Sequence, residues 1–317
     1  MGGIHYGRKI LPPSYITDDM IVLVCTEVGN YIDIKAEIKK NCEIIHMCPP
    51  FRNINGFLDN NFISEYYNRI YNTYSLLSDE KSRNIFVECV NSRITGNFQP
   101  LENMISGENW FDCDFIKEKI SDGWYIDCGA YTGDTYIQFL YTIGYRSGCL
   151  IDLNEGNCFI MKKIMDYLGL KDVMIINKGT DSEQNSVRYN NFEIEEGAYE
   201  NAAIGDFRNV PTTIHKVGKA YESMGMTDTL DNIIAENNIT PSLIKINTVT
   251  NDLRTLIGCV NTMKKYNPIV CMELGIYPKS FFEIPLIFLN CNPEYQLFIR
   301  VVRGLGGKGL RTVLYAI

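Results

Sequence analysis

The chain reads as an α/β protein on a mostly parallel sheet that ends in an antiparallel hairpin. Three observations carry this. From Gly123 onward, short apolar runs alternate with stretches of helical length, the pattern of strands joined by crossovers. A glycine loop, Gly129 to Gly133, separates the first strand of that series from its first helix. Near the end, two apolar runs at 296–302 and 312–317 flank Gly304-Leu-Gly-Gly-Lys-Gly309, which predicts a hairpin.

In chain order, Ile21-Val-Leu-Val-Cys25 is a continuous β-branched run suited to a buried strand. Residues 30–40 place Ile32, Ile34 and Ile38 among charges, as a helix does, and 43–47 form a second strand closed by Pro49-Pro50. One strand-helix-strand unit cannot bury its own faces. Its open edge calls for cover from the rest of the chain or from a second copy in a homo-oligomer. Residues 62–77 read as a helix whose stripe of Tyr66, Tyr67, Tyr71 and Tyr74 is expected to pack in the core. Asp79 is a good N-cap for a helix over 80–94, which Gly96 stops. Strands follow at 124–127, 149–152, 173–177, 186–191, 243–247 and 269–273, with helices at 134–143, 156–168, 230–236, 252–266 and 281–289. Residues 192–228 have no clear period.

Composition narrows the function. At 45% hydrophobic and 21% charged, the chain is too apolar for disorder. Its 317 residues suggest roughly two domains. The net charge of −8 argues against nucleic-acid binding, which needs a basic surface. No apolar run approaches the roughly 20 residues that span a bilayer, and the first residues lack a signal-peptide core. The 11 cysteines include no C-x-x-C pair, so buried thiols in a reducing cytoplasm are expected and no metal site is evident. Of only three histidines, His5, His46 and His215, none lies in the last hundred residues.

The strongest signal is Tyr125-Ile-Asp-Cys-Gly-Ala-Tyr-Thr-Gly-Asp-Thr135. Gly129 permits a sharp turn, Ala130 keeps space open, and Gly133 lets the loop close on the helix. Free N–H groups at the helix start suit a carboxylate or phosphate. Asp152 ends the next strand about 25 residues after Asp127, where nucleotide-binding α/β folds hold ribose hydroxyls. Dinucleotide enzymes carry G-x-G-x-x-G. The spacing D-x-G-A-x-x-G-D-T, with a terminal hairpin, points instead to S-adenosylmethionine.

This segment, with Thr229-Leu-Asp-Asn-Ile-Ile234, Phe282-Glu-Ile-Pro285, the lead-in Leu77-Ser-Asp-Glu-Lys-Ser82 and the ending Thr312-Val-Leu-Tyr-Ala316, resembles the FkbM family of methyltransferases from Asp59 to the C-terminus. The resemblance implies a seven-stranded, Rossmann-like class I methyltransferase sheet. It places the methyltransferase domain at 121–317, a helical lead-in at 51–120 and a partial α/β unit at 1–50. The last resembles the second half of a small nucleotide-sugar-linked domain. S-adenosylmethionine would contact Asp127, Gly129, Ala130, Tyr131, Thr132, Gly133, Asp134 and Thr135 with its methionine end. Asp152 would hold its ribose, and Asn177 and Lys178 would lie near its adenine. Many family members sit among genes for surface-polysaccharide or natural-product synthesis and methylate hydroxyl groups, so the resemblance implies a small-molecule or glycan acceptor.

The catalytic half departs from the family. Relatives end the fourth strand with D-[IV]-E-G-x-E, where this chain has Asn247-Thr-Val-Thr-Asn-Asp252. The family's Y-H-K-P-E-D becomes Gly275-Ile-Tyr-Pro-Lys-Ser280, replacing His by Ile276, and R-H-Y or R-H-H becomes Arg300-Val-Val302, replacing His by Val301. All three stretches are expected to face one cleft. Asn247 can orient a hydroxyl, and Asp252 and Glu273 are the remaining candidate bases. Asp252 would otherwise favour a helix N-terminus, and Glu273 would otherwise pair with Lys or Arg. Two functions follow: an O-methyltransferase with an altered acceptor site, or a degenerate relative that binds the cofactor without turnover. A nucleotide-sugar enzyme fits less well, because the glycine loop has the wrong spacing.

Overall fold

The structure is a computed structural model that describes residues 4–5, 8–25, 34–35, 37–47, 58–192, 220–248, 251–275, 277–303 and 310–317. The first strands, β1 (Ile4–His5) and β2 (Arg8–Lys9), pair antiparallel. The next two, β3 (Ile21–Cys25) and β4 (Glu43–Met47), form a separate parallel pair, and residues 34, 35 and 37 between them are helical. Val24 is buried, but Ile21 and Leu23 remain exposed. Lys35 Nζ reaches Glu102 Oε2 at 3.1 Å.

Two capped helices lead into the main body. In α1 (Asn60–Leu76) the Asp59 carboxylate accepts from the Phe62 N–H, and in α2 (Glu80–Thr95) Asp79 accepts from that of Ser82. Gly96, at φ +74°, ends α2 as expected. The tyrosine stripe only half meets its expectation. Tyr66 stacks on Phe282 at 5.2 Å, but Tyr67 and Tyr71 are exposed and stack on each other. The half-buried stripe of α1 runs through Phe62, Ile63, Tyr66 and Ile70, which leaves Tyr67 and Tyr71 a step round the helix.

The remaining elements are α3 (Gln99–Glu102), β5 (Ile105–Gly107), α4 (Asp114–Lys119), β6 (Trp124–Cys128), α5 (Asp134–Ile143), β7 (Gly148–Ile151), α6 (Glu155–Tyr167) and β8 (Val173–Ile176). Then come β9 (Gly179–Thr180), β10 (Asn185–Phe192), β11 (Ala220–Asp228), α7 (Leu230–Glu236), β12 (Pro241–Ile246), α8 (Asp252–Ile257), α9 (Val260–Tyr266), β13 (Ile269–Glu273), α10 (Ser280–Cys291), β14 (Leu297–Arg303) and β15 (Leu310–Ala316).

Among the described residues, eight strands form the central sheet in the order β5-β14-β15-β13-β12-β6-β7-β8, with β15 alone antiparallel to its neighbours. Seven are those expected; the eighth, β5, adds parallel to β14 at the edge. Alternate residues feed two cores. Ile126, Ile244, Val270 and Ile299 pack beneath α2, α7 and α10, while Tyr125, Leu243, Cys271 and Tyr315 pack against α4, α5 and α6. This is the Rossmann-like class. The chain runs from β6 outward to β8, then returns to β12 and runs outward the other way. The reversal between β6 and β12 is the switch point where open α/β sheets bind ligands.

Two expectations change in the second half. The unpatterned stretch contributes β11, which pairs antiparallel with β10 and parallel with β9 in a three-stranded sheet of its own. The expected helix over 252–266 is broken at Gly258. There the carbonyl accepts from the Asp231 N–H, and any side chain would collide with the Asp181 carbonyl. The described cysteines are free thiols, most of them buried. No described helix is long and apolar enough to cross a membrane.

Candidate functional site

The loop between β6 and α5 is fixed from three sides. The N–H groups of Gly129 and Ala130 both donate to the Ile151 carbonyl at 3.0 Å, drawing the loop over the end of β7. Gly129 sits at φ +81°, and a Cβ there would collide with the Asn247 carbonyl at the end of β12, so glycine is required. Tyr131 holds a left-handed φ of 51° without being glycine. Its N–H donates to Asp152 Oδ2 at 2.8 Å, which anchors that strained residue.

The loop opens on a cleft of about 750 Å³ at the C-terminal ends of the strands. Gly129, Tyr131, Asp134 and Thr135 line it together with Ile151, Asp152, Leu153 and Asn157 on one side and Lys245, Asn247, Thr248 and Arg311 on the other. Trp110 from the lead-in, and Val187 and Thr227 from the three-stranded sheet, complete the wall. Seven expected site residues therefore meet here: Gly129, Tyr131, Asp134, Thr135, Asp152, Lys178 and Asn247.

The others do different work. Asp127 is fully buried behind the wall, where it accepts from Tyr125 Oη (2.8 Å), Thr135 Oγ1 (2.6 Å) and Lys245 Nζ (2.7 Å). Ala130 and Thr132 are buried within the loop, and Gly133 packs against Met161 and Met165. Asn177 turns its amide to the carbonyls of Asp152 (3.1 Å) and Leu153 (2.9 Å), bracing the turn after β7 from outside the cleft. Its neighbour Lys178 lines the cleft instead, paired at 2.8 Å with Asp228. Asp252 lies behind the wall and accepts from the Thr248 N–H (2.5 Å) and Thr248 Oγ1 (2.8 Å). Glu273 pairs with Arg311 at 2.8 Å, the alternative its position allowed. Val301 is buried in mid-strand, and Arg300 beside it binds Asp79, so this stretch does not face the cleft. Val249, Thr250, Ile276 and the hairpin loop 304–309 lie outside the described residues.

Burial sets the charges. It would strip the Lys245 ammonium of its proton, but the Asp127 carboxylate outweighs it and raises the lysine pKa above the ordinary range. Burial pushes Asp134 up to about 7, with Lys245 opposing and Asp127 adding to the shift. Asp152 and Asp252 are also raised by burial, against the N–H groups that bind them. Asp228 falls below its usual range, because the donors Lys178, Asn232 and Gln184 outweigh its burial. Among the described residues, two buried atoms on this wall have no hydrogen-bond partner: Asp134 Oδ2 and Asn157 Oδ1. Among the described residues, no group of three His, Cys, Asp or Glu side chains could hold a metal.

Sequence reasoning missed Lys245, Trp110 and Arg311. Lys245 had a signal: a lone charge between Ile244 and Ile246 in a buried strand must be paired.

No protein-family model matches the sequence, and no curated protein matches it either. Among solved structures, the chain is similar to methyltransferase FkbM from Methylobacillus flagellatus KT. The TM-score is 0.64 at 13% identity, over 94% of this chain and 73% of that one. It also matches the METTL16 methyltransferase domain (TM-score 0.38, 9% identity, 82% and 92% covered). A putative methyltransferase from Streptococcus mutans, solved with SAH, matches at TM-score 0.34 and 9% identity, with 64% and 94% covered. The first of these establishes a shared fold; the other two are too distant to add to it.

Proposed function

We propose that this chain is an S-adenosylmethionine-dependent O-methyltransferase acting on a hydroxyl of a sugar, a glycoconjugate or a related small molecule. The observation that carries the reading is the glycine loop. It turns over the β6–β12 switch point, where no side chain fits at Gly129, and opens a cleft of ligand size beside a buried carboxylate oxygen that has no partner. The sequence resemblance and the shared fold support it, and the acceptor class rests on the resemblance. The cofactor fits these residues. The loop from Gly129 to Thr135 would take its methionine end. Asp152 would take its ribose hydroxyls, since Oδ2 accepts only the Tyr131 N–H and has a lone pair to spare.

When bound, S-adenosylmethionine supplies a methyl group on a sulfonium, an activated leaving group. The protein must then position the acceptor hydroxyl and remove its proton. Asn247 and Thr248 line the cleft on the side away from Asp152. The Asn247 amide orients the hydroxyl. Thr248 Oγ1 bonds the buried Asp252 carboxylate, so a proton leaving the acceptor can pass through the threonine hydroxyl to Asp252. The raised pKa of Asp252 brings it nearer to neutrality, as a base requires.

Thermal unfolding with and without ligand tests the first half of the reading. S-adenosylmethionine at a hundred times its Kd adds about 2.7 kcal/mol, and NAD adds nothing. No stabilisation by S-adenosylmethionine or S-adenosylhomocysteine overturns the proposal. Release of S-adenosylhomocysteine with a panel of glycan and small-molecule hydroxyl acceptors tests the second half. Asn247→Asp combined with Val249→Glu restores the family's acids and should raise turnover about 10²-fold, the lower range for a general base.

A further inference from the structure

The outer face of α1 carries an aromatic row that the core does not use. Tyr67 and Tyr71 are 58% and 55% exposed, and Tyr74 is half-buried. Their rings follow one another at 6.2 and 6.1 Å and stay within 12° and 20° of parallel. The spacing i, i+4, i+7 makes them one ridge, which rises about 10 Å along the helix, longer than one sugar ring. The next ridge round carries Ser64, Asn68 and Asn72, all exposed and uncharged. The two charges of α1, Glu65 and Arg69, lie beyond it, and Arg69 turns to Tyr66 and Phe282. Apolar residues scattered singly on a surface need no explanation, but a contiguous aromatic row marks a contact.

The row also leads towards the cleft. Tyr66 stacks on Phe282 at 5.2 Å, and the Lys279 ammonium lies 5.4 Å from the Tyr66 ring centre. Both partners stand at the start of α10, a few residues after β13 ends on the cleft side of the sheet. At the other end of α1, Leu77 bridges Leu297, the first residue of β14, which runs in the same direction as β13. That is the end of the sheet away from the cleft. The helix therefore runs from the cleft end to the far end, and the row begins with Tyr67 at the cleft end. The nearby side of the cleft is that of Glu273 and Arg311, the side opposite Asp152.

Several kinds of ligand stack on tyrosines. A nucleic-acid track needs cations beside the rings, and neither ridge of α1 carries one, in a chain of net charge −8. A proline-rich peptide needs an aromatic-lined groove, whereas these rings stand on the outside of a single helix. A sugar offers a flat patch of C–H groups to a ring and hydroxyls at its rim, which match phenol rings beside a row of hydroxyl and amide side chains. We propose that this row is a track for a glycan chain: the acceptor is an oligosaccharide or polysaccharide, whose remote units lie along Tyr67, Tyr71 and Tyr74 while the reacting unit enters the cleft. The role in methylation rests on the methyltransferase reading above; the glycan contact does not.

A glycan array probed with the full chain, wild type against Tyr67→Ala combined with Tyr71→Ala, tests the contact. Alanine is the better helix former and neither ring is buried, so the variant should keep its fold and hold S-adenosylhomocysteine within about twofold of wild type. Wild type should bind oligosaccharides of several units in preference to the matching monosaccharides, and the alanine variant should bind them about tenfold more weakly. Tyr67→Phe combined with Tyr71→Phe keeps the rings and should stay within about threefold of wild type. No oligosaccharide bound, equal binding by wild type and the alanine variant, or a phenylalanine variant as weak as the alanine one overturns the proposal. So does a wild-type dimer in sedimentation that the alanine changes make monomeric, because the row then belongs to a second copy.

Turnover tests the role in methylation. For the acceptor that releases S-adenosylhomocysteine, kcat/KM should rise with chain length in the wild type and stay flat in the alanine variant, with kcat unchanged. A kcat/KM independent of length in the wild type overturns that role. Stabilisation by S-adenosylmethionine without glycan binding removes the track and leaves the methyltransferase reading standing. Glycan binding through the row in a chain that S-adenosylmethionine does not stabilise does the reverse.

Discussion

The β6–β7 side of the cleft and the β12–β15 side belong to one sheet but hold their acids in opposite ways. On the first side, Asp127 and Asp152 each accept three hydrogen bonds, and Asp228 beneath Lys178 accepts four, from donors on different elements. On the second, Asp252 bonds Thr248 alone among the described residues, and Glu273 has Arg311 as its ion-pair partner. The first side is over-determined: moving one residue leaves several donors or acceptors unpaired. The second is built from local pairs that can change one at a time. The departure at Asn247 falls on this second side. The contrast suits a site that keeps one ligand and adapts to another.

Lys245→Ala tests the over-determined side most severely. It strands the buried Asp127 without its cation and should cost about 3–5 kcal/mol in urea unfolding at pH 7. Asp127→Asn with Lys245→Met should recover most of that. A loss below about 1 kcal/mol for the single change would break the comparison.

Titration of Asp134 comes next. Its folded pKa, about 7, lies above the ordinary 3.8, so the folded chain keeps a proton that the unfolded chain gives up. Stability should therefore fall as pH rises from about 4 to 7, by up to about 1.4 kcal/mol per unit, and level off above. Urea midpoints of wild type and Asp134→Asn across that range isolate this slope; parallel curves would remove it.

Gly129→Ala forces a side chain into a left-handed residue against the Asn247 carbonyl. A loss of about 1–3 kcal/mol is expected, together with loss of S-adenosylhomocysteine binding. Arg311→Ala should do least to stability, below about 1 kcal/mol, because its bridge to Glu273 is 45% exposed on the arginine side. It should change acceptor KM while leaving cofactor affinity within twofold. A large stability loss there would erase the distinction between the two sides.

What was legible in the sequence follows the same line. The strands of the central sheet are apolar runs closed by turn residues, and the glycine loop has a local spacing, so both could be read directly. The strand β11 could not. Its Tyr221-Glu-Ser-Met-Gly-Met-Thr227 lacks apolar alternation, and it pairs with β10 across a long intervening segment. The break at Gly258 was hidden because a distant carbonyl, that of Asp181, imposes it. At the site, residue types singled out Gly129, Asp134 and Asp152, which line the cleft. They could not tell that Asp127 would be taken up by Lys245, a residue 118 positions away. Exposure of Tyr67 and Tyr71 was likewise decided by how α1 sits on α10, which is a matter of packing.

The switch point also bears on the order in which the molecule assembles. The strands β6, β7 and β8 are consecutive neighbours, so they can pair while only short loops close. Joining β6 to β12 brings together residues such as Asp127 and Lys245, and that closes a far longer loop, which topology makes slow. The β6–β8 half is thus expected to form early and the β12–β15 half to dock on it late, so the pocket itself comes into being only in the last step. A chain emerging from the ribosome would carry the glycine loop for more than a hundred residues before Lys245 reaches Asp127.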